Sequence, residues 1–173
     1  SQYIKEKYPE SYDNELPNEL AYCGSKNLTD KLDGFNIDIG KMLLSPTRSY
    51  APLLKLIFDE IGRNKINGII HCTGGGQTKI LHFIDNLHIL KNNLFEIPPI
   101  FKLIMNESNT DPKEMYKVFN MGHRVEIYLD PENASKVIDI SKSVGIDAKI
   151  IGEVIESDHK KLSIQSEIGN FDY

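Results

Sequence analysis

Three consecutive glycines stand between a short apolar run and a segment with helical character, in the stretch GIIHCTGGGQTK at residues 68–79. Because glycine has no Cβ, the backbone can pass close to a ligand here, and successive N–H groups can converge on an oxyanion. The residues that would form such a site are Thr73, Gly74, Gly75, Gly76, Gln77 and Thr78. The alternative is a tight turn from strand to helix that binds no ligand.

The spacing of these glycines excludes two common phosphate-binding motifs. A P-loop reads GxxxxGK[ST] and a dinucleotide-binding turn reads GxGxxG, and residues 74–76 fit neither pattern. The stretch therefore predicts either an oxyanion loop of another kind or a turn, and the residues alone leave both open.

His71 lies just before the glycines, at the predicted end of a strand, and is the candidate catalytic residue. An imidazole in such a place can act as an acid, a base or a ligand, and a half-buried histidine with a satisfied hydrogen bond is the alternative. His82 and His88 follow further along. Since zinc requires three or four ligands with consistent geometry, the sequence predicts no metal site here.

A second candidate segment, EMYKVFNMGHR, ends a predicted helix and begins a strand at Arg124. Asn120 can present its amide to a ligand or cap backbone groups, and Gly122 turns the chain. His123 and Arg124 could supply positive charge near a phosphate, or could be solvated residues at a strand edge. Arg48 precedes another predicted helix, where it could hold an anion with the helix N-terminus or belong only to a capping turn.

The overall composition restricts the class of protein. The 173 residues, with 40% hydrophobic and 26% charged side chains, are typical of one globular domain. A net charge of −5 without a basic run argues against a general nucleic-acid-binding protein. No apolar stretch approaches the roughly 20 residues that span a membrane, and we expect a cytoplasmic protein. Cys23 and Cys72 form no CxxC pair, which indicates reduced thiols, with Cys72 packed as a small hydrophobe.

The elements that position these residues can be predicted from caps and apolar spacing. Helices are predicted over residues 1–8, over residues 50–61 between a Ser49 cap and Gly62, over residues 78–83, from Pro99, from Pro112 after an Asp111 cap, and from Pro131 to Gly145 after an Asp130 cap. Strands are predicted over residues 67–73, 124–130 and 146–154 and around Leu162 and Ile164, with a hairpin or arm over residues 31–40.

The same spacing predicts which sides of the last elements are buried. The expected inner residues are Val125, Ile127 and Leu129 on the strand, and Val137, Ile138 and Val144 on the helix that follows. Strand, helix, strand, strand is half of a ferredoxin-like layout. We therefore predict an α/β (α+β) sandwich with helices packed on a mixed β-sheet.

Five blocks in one order resemble the C-terminal half of aminoimidazole ribonucleotide (AIR) synthetase, also called phosphoribosylformylglycinamidine cyclo-ligase. The blocks are LLSPTRSY (43–50), INGIIHCTGGG (66–76), IPPIFKLI (97–104), EMYKVFNMG (114–122) and IIGEV (150–154). Each block is short, and their common order over residues 41–165 carries the resemblance.

The resemblance implies an ATP-dependent ring closure in purine synthesis. ATP phosphorylates the formyl oxygen of formylglycinamidine ribonucleotide, an internal nitrogen attacks that carbon, phosphate leaves and an imidazole forms. It also implies that an N-terminal domain, absent from this chain, supplies most ligands of Mg²⁺ and ATP and the contact of a homodimer. The residues placed in the nucleotide and phosphate cleft are Thr73, Gly74, Gly75, Gly76, Gln77, Asn120, Gly122 and Arg48.

Two departures mark a divergent branch of the family. The family usually follows its glycines with an aromatic residue and Glu-Asn-x-Pro-Arg, where this chain reads QTKILH at residues 77–82, and Arg124 stands where the family has glycine. We expect residues 1–40 to form an arm, residues 41–173 to form the family domain, and the fragment alone to be inactive. The alternatives are another enzyme of the superfamily, kinase-like or amidotransferase-related, and a non-catalytic ligand-binding or assembly domain.

Overall fold

The computed structural model describes residues 2–17, 19, 21–22, 24–46 and 48–173, without the side chains of residues 2 and 3. Cys23 lies outside these residues. The helices of the described chain are α1 (Gln2–Lys7), α2 (Ile39–Leu43), α3 (Ala51–Ile61), α4 (Pro99–Ser108), α5 (Pro112–Val118) and α6 (Ala134–Ser143). Its strands are β1 (Ile66–His71), β2 (Leu87–Lys91), β3 (Val125–Leu129), β4 (Gly152–Glu156), β5 (Lys161–Ser166) and β6 (Gly169–Asp172). None of these helices has the length and apolar character that crossing a membrane requires.

The first compact unit comprises residues 1–47 and 99–110. The N–H and the hydroxyl of Ser25 donate to the Glu107 carboxylate of α4, at 2.5 and 2.8 Å. The Asp38 carboxylate accepts from the Lys41 N–H at 2.8 Å and caps α2. An isolated antiparallel bridge joins Lys31 to Asp38. The segment predicted as a hairpin or arm is therefore a closed loop that leads into a short helix.

The second compact unit comprises residues 48–98 and 111–173 and contains two sheets. The smaller sheet pairs β1 with β3 in antiparallel fashion, with Ile69 opposite Ile127. Helices α3 and α6 cover it through an apolar cluster, whose buried members are Leu53, Ile57, Val137 and Ile140. Burial of each such side chain stabilises the fold by about 1.5–3 kcal/mol. This cluster fixes the strand that leads into the glycines.

The larger sheet has the strand order β4-β2-β5-β6. Strands β2 and β5 run parallel, with Ile89 opposite Leu162, whereas β2 with β4 and β5 with β6 are antiparallel. Ile89, Leu162 and Ile164 are buried. A mixed sheet together with helices packed on β-structure confirms the predicted α/β (α+β) class.

The helices predicted from caps are confirmed at α3 and α5, with two wrong caps. Asp130 precedes Pro131 as predicted, but its side chain accepts no capping hydrogen bond, and α6 begins at Ala134 after a 3₁₀ turn. Gly62 ends α3 with φ +94°, and the Asp111 carboxylate caps α5. The predicted cap Ser49 is wrong, because Tyr50 occupies the N-cap position of α3 and no side chain accepts a hydrogen bond there. Pro52 in the first turn lacks an N–H, so one of the donors that a cap would satisfy is missing.

The buried side of α6 differs in part from the prediction. Val137 is buried as expected, and Ile140 and Ser141 complete that side. Val144 is 41% exposed. It is the C-cap residue, and the chain turns away at Gly145, which has φ +70°. Val144 therefore no longer shares the face that the helical period assigns to it.

The strand predicted over residues 146–154 is wrong for its first six residues, since β4 spans only Gly152–Glu156. Ile146 packs instead against the apolar cluster of the smaller sheet. The Ile151 carbonyl accepts the N–H groups of both Asn92 and Asn93 at 3.1 Å. These bonds hold the connection beside the end of β2 without a strand ladder. The sequence analysis did not predict β2 or β6.

Gly152→Ala tests the pairing of β4 with β2. A Cβ at residue 152 would lie 1.9 Å from the Leu90 carbonyl oxygen, so we expect the free energy of unfolding to fall by about 1–3 kcal/mol or more in urea denaturation. Gly68→Ala in β1 is the control, because its Cβ would meet nothing nearer than Tyr128 at 3.8 Å. Equal losses in the two variants would contradict the tight β4–β2 approach.

Candidate functional site

Strand β1 leads into the glycine loop, defined here as residues 73–76. Gly75 has φ +88° and Gly76 has φ +48°, left-handed values that favour glycine. A Cβ on Gly76 would lie 2.5 Å from the Phe119 carbonyl oxygen and 2.7 Å from that of Tyr116, at the end of α5. The turn and the close packing on α5 therefore account for both glycines.

Gly74 differs from the two glycines that follow it. It is exposed, its φ is not left-handed, and an added Cβ would meet no described atom within 4 Å. Turn geometry therefore gives no reason for glycine at this position. The space around Gly74 is open to solvent or to a ligand.

Polar groups converge on the exposed side of the glycine loop. Among the hydrogen bonds of the described residues, none uses the N–H of Gly74 or of Gly75. The Lys79 ammonium donates to the Thr73 hydroxyl oxygen at 2.9 Å and to the His71 carbonyl oxygen at 3.0 Å. An ammonium has three donors, so these two bonds leave one for a ligand. Two backbone N–H groups and a cation form an arrangement that can bind a phosphate oxyanion.

The His71 side chain is exposed at the end of β1. Its ring meets the ring of Tyr50 edge-on, with centroids 6.4 Å apart. Its carbonyl oxygen accepts the N–H of Thr73 at 2.8 Å, which closes the start of the glycine loop. The His71 main chain thus contacts the glycine loop, while its imidazole is exposed and meets Tyr50.

The side chain of Gln77 points inward and is 1% exposed. Its amide Nε2 donates to the Asn120 carbonyl oxygen at 2.6 Å, and its Oε1 accepts from the Lys91 ammonium at 2.8 Å. The Gln77 amide therefore contacts the protein interior and joins the glycine loop to the turn at residues 120–122.

Lys91 and Glu126 form a buried ion pair, with Nζ and Oε1 2.5 Å apart and side chains 1% and 3% exposed. Nζ also donates to the Gln77 carbonyl oxygen at 3.0 Å. The other carboxylate oxygen accepts from the Tyr128 hydroxyl at 2.6 Å. Burial and the Glu126 charge raise the pKa of Tyr128 well above its ordinary value, so the phenol stays protonated.

The turn at residues 120–122 is held by Asn120. Its Oδ1 accepts the Gly122 N–H at 2.9 Å, and its carbonyl accepts the His123 N–H at 2.9 Å. Gly122 has φ +97°, and a Cβ there would lie 3.0 Å from Pro98. The oxygen atoms of Asn120 thus bind backbone groups, and among the described residues no hydrogen bond uses its amide nitrogen.

Two buried groups near this turn are uncharged at neutral pH. His123 Nε2 accepts the Phe95 N–H at 3.0 Å, and Nδ1 has no partner among the described residues. Burial lowers the pKa of His123 to about 4. Burial raises the pKa of the Cys72 thiol to about 12, so this cysteine is the small hydrophobe that the sequence predicted.

The two candidate arginines, Arg48 and Arg124, make their hydrogen bonds outside the glycine loop. Arg48 Nη1 donates to the Gly145 carbonyl oxygen, just beyond α6, at 3.4 Å. Arg124 is exposed, and its carbonyl oxygen accepts the Cys72 N–H at 2.8 Å. Within the described residues, no hydrogen bond joins either guanidinium to the glycine loop.

His88, Ser163 and Asp172 form a hydrogen-bonded row across β2, β5 and β6. Ser163 Oγ donates to Asp172 at 2.5 Å and lies 2.8 Å from His88 Nε2. The hydrogen bond from Ser163 holds the pKa of Asp172 below its ordinary value. Because the serine proton is directed to the carboxylate, the imidazole donates to the serine, which is unlike a nucleophilic triad. No group of three or more potential His, Cys, Asp or Glu metal ligands occurs in the part of the chain that the structure describes.

Sequence reasoning missed Lys79, Lys91 and Glu126. The signal for the last two was a single charge next to apolar strand residues, in LHILK and in VEIYL. Lys79 gave no such signal, since its contact with the glycine loop depends on the 3₁₀ turn Gly76–His82.

Because His123 is buried and has a lowered pKa, we expect the free energy of unfolding to fall as the pH falls below neutral. Its pKa is about 4 in the folded protein and near 6.5 in the unfolded chain, so the unfolded state takes up a proton first as the pH falls. The stability contribution is fully present above about pH 7 and declines toward pH 4, by roughly 3 kcal/mol at about 1.4 kcal/mol per pKa unit. Urea unfolding at several pH values measures it.

The control for this measurement is His82→Gln, because the His82 side chain is exposed. This variant should keep the wild-type pH dependence, whereas His123→Gln should flatten it between about pH 7 and pH 5. The assignment to His123 fails if the His123→Gln curve runs parallel to the wild-type curve.

Comparison with known proteins matches residues 24–165 to the family described as AIR synthase related protein, C-terminal domain. Curated relatives named phosphoribosylformylglycinamidine cyclo-ligase include that of Methanococcus vannielii, 36% identical over 143 residues that cover 80% of this chain and 40% of the relative. That of Methanocaldococcus jannaschii is 36% identical over 132 residues, 76% of this chain and 37% of the relative. The chain thus spans about 40% of the length of these relatives.

A solved structure of Escherichia coli HypE, a hydrogenase maturation protein, has a TM-score of 0.53 and 19% identity over 78% of this chain and 43% of that chain. This likeness shows a shared fold. The family match and the identity with curated relatives confirm the resemblance carried by the five sequence blocks. The chain therefore belongs to the AIR synthase related family, as a member of its C-terminal domain.

Proposed function

We propose that this chain is the C-terminal domain of a phosphoribosylformylglycinamidine cyclo-ligase, an ATP-dependent enzyme of purine synthesis. The observation that carries the proposal is the glycine loop, where no hydrogen bond among the described residues uses the N–H groups of Gly74 and Gly75 and the Lys79 ammonium keeps one donor. Its support is that the curated relatives bear this enzyme's name.

In the proposed reaction, the formyl oxygen of formylglycinamidine ribonucleotide attacks the γ-phosphorus of ATP, and ADP leaves. An internal nitrogen of the substrate then attacks the activated carbon, phosphate departs with the former formyl oxygen, and the imidazole ring closes. Donors that are fixed before the reaction stabilise such developing negative charge best. We assign that task to the glycine loop and to Lys79, and we assign proton transfer at the edge of the loop to His71.

The remaining cleft residues shape the site in this proposal. Gly76 lets the glycine loop pack on α5, and Gln77 holds it from the interior. Asn120 offers its amide nitrogen to a ligand while its oxygen atoms hold the turn that contains Gly122. Arg48 is assigned to the phosphate-bearing side of the cleft because it precedes the N-terminus of α3, which favours an anion.

The described residues supply no group of three or more metal ligands. On the family resemblance, the proposal assigns Mg²⁺ and most contacts to ATP to an N-terminal domain outside this chain, which binds the domain described above. It assigns the contact of a homodimer to that N-terminal domain as well, and it places the whole enzyme in the cytoplasm.

Measurements of turnover test this assignment of functions to the two domains. A protein containing both domains should convert formylglycinamidine ribonucleotide and ATP to AIR, ADP and phosphate, whereas this chain alone should form no AIR. Mass spectrometry of the ribonucleotide product measures both. A two-domain protein that forms another product, or none, contradicts the cyclo-ligase assignment, and AIR formation by this chain alone contradicts the assignment of ATP and Mg²⁺ to the other domain.

Gly74→Ala separates ligand binding from turn geometry. Because the added Cβ meets no described atom within 4 Å, we expect unfolding free energy to change by less than about 0.5 kcal/mol. The methyl group would occupy the place of the oxyanion, so kcat/KM of the two-domain enzyme should fall at least about tenfold, as should that of Lys79→Met.

Gly76→Ala is the matched control for this pair, since its Cβ would lie 2.5 Å from a carbonyl oxygen and should destabilise the fold itself. Wild-type kcat/KM in both Gly74→Ala and Lys79→Met would show that the exposed side of the glycine loop binds no reacting group.

A further inference from the structure

We propose that the buried Lys91–Glu126 pair is a positioning device that locks the glycine loop and the turn at residues 120–122 together through Gln77. The catalytic part of this inference rests on the proposed function, which makes the loop part of a ligand site. The positioning part is a property of the unliganded protein and can be measured without any substrate.

Every donor of the Lys91 ammonium is used inside the protein. The acceptors are Glu126 Oε1 at 2.5 Å, Gln77 Oε1 at 2.8 Å and the Gln77 carbonyl oxygen at 3.0 Å. Two of the three bonds go to one residue, one to its main chain and one to its side chain. The ammonium therefore fixes both the backbone position of residue 77 and the orientation of its amide.

The orientation of that amide determines the contact with the turn. With Oε1 bound to Lys91, Nε2 faces the other way and donates to the Asn120 carbonyl oxygen at 2.6 Å. A flipped amide would place two oxygen atoms against each other at this point and would turn its NH₂ group toward the ammonium. The charge on Lys91 thus selects the one amide orientation that joins the loop to the turn.

The two charges come from different sheets. Lys91 is the last residue of β2 in the larger sheet, and Glu126 is the second residue of β3 in the smaller one. The glycine loop follows the end of β1, and the turn immediately precedes β3. The ion pair therefore ties the sheets together at the place where both segments of the candidate site leave them.

Stability alone does not account for a buried ion pair at this position. Both groups lose their hydration when the protein folds, and apolar side chains of similar volume often serve stability equally well or better. Apolar side chains cannot donate to both oxygen atoms of Gln77. We therefore assign the pair to the geometry of the site and treat Lys91 as a positioning residue that acts through Gln77.

The triple variant Lys91→Met, Glu126→Leu, Tyr128→Phe removes the charges and leaves no buried charge or hydroxyl without a partner. We expect the variant to stay folded in urea unfolding, because loss of the buried ion pair and loss of the donor to both oxygen atoms of Gln77 act in opposite directions. Hydrogen exchange at the amides of Gly76, Thr78, Gly122 and His123 should be accelerated at least about tenfold, while exchange at Leu162 in β5 should not change. In the two-domain enzyme, kcat/KM should fall at least about tenfold.

Gln77→Met tests the same connection from its other end. It should accelerate exchange at the same four amides, and adding it to the triple variant should have no further effect, since residues acting through one another are not additive. The control is Lys55→Gln with Asp59→Asn, which removes an exposed ion pair on α3 and should leave exchange and kcat/KM unchanged.

Protection of the four amides within about twofold of wild type, in the triple variant or in Gln77→Met, would overturn the inference, and so would additive effects of the two. A triple variant that unfolds would also overturn it, because the pair would then be required for the fold itself. If the wild-type two-domain protein forms no AIR, the proposed function fails, and the exchange measurements still decide the positioning role.

Discussion

The contact between the Lys91 ammonium and the Glu126 carboxylate is the buried constraint to which the geometry of the candidate site is tied in the second unit. Neither charge can give up its water unless its partner is in place, so two strands from different sheets must approach until their charged atoms are 2.5 Å apart. The ammonium donors that remain are satisfied by Gln77, which is the residue directly after the three glycines. The buried ion pair is thus joined to the glycine loop through a single residue.

Features with a local cause could be predicted from the sequence. The Asp111 cap and the end of α3 at Gly62 each depend on a few neighbouring residues, and the structure contains both. The glycine loop was found for the same reason, because three glycines after an apolar run restrict what the backbone can do. The family was identified from short blocks in a fixed order, which needs no knowledge of contacts.

Features whose cause is tertiary could not be predicted in this way. Period-two alternation defines the two faces of β3, but only the packing of the larger sheet decides that the face of Glu126 is the more deeply buried one. Gln77 looked like a ligand donor because it follows the glycines, and its burial becomes apparent only when Lys91 is brought close. Strand β2 was missed because it is short and its partners, β4 and β5, lie far along the chain.

The parallel pairing of β2 with β5 has a consequence for how the protein acquires its structure during synthesis. His88 pairs with Lys161, roughly 70 residues later, and such distant contacts slow folding because a large loop must close first. A ribosome releases β2 and β3 before β5, so Lys91 and Glu126 remain hydrated while the larger sheet is incomplete. Dehydration of these two charges thus follows the synthesis of β5.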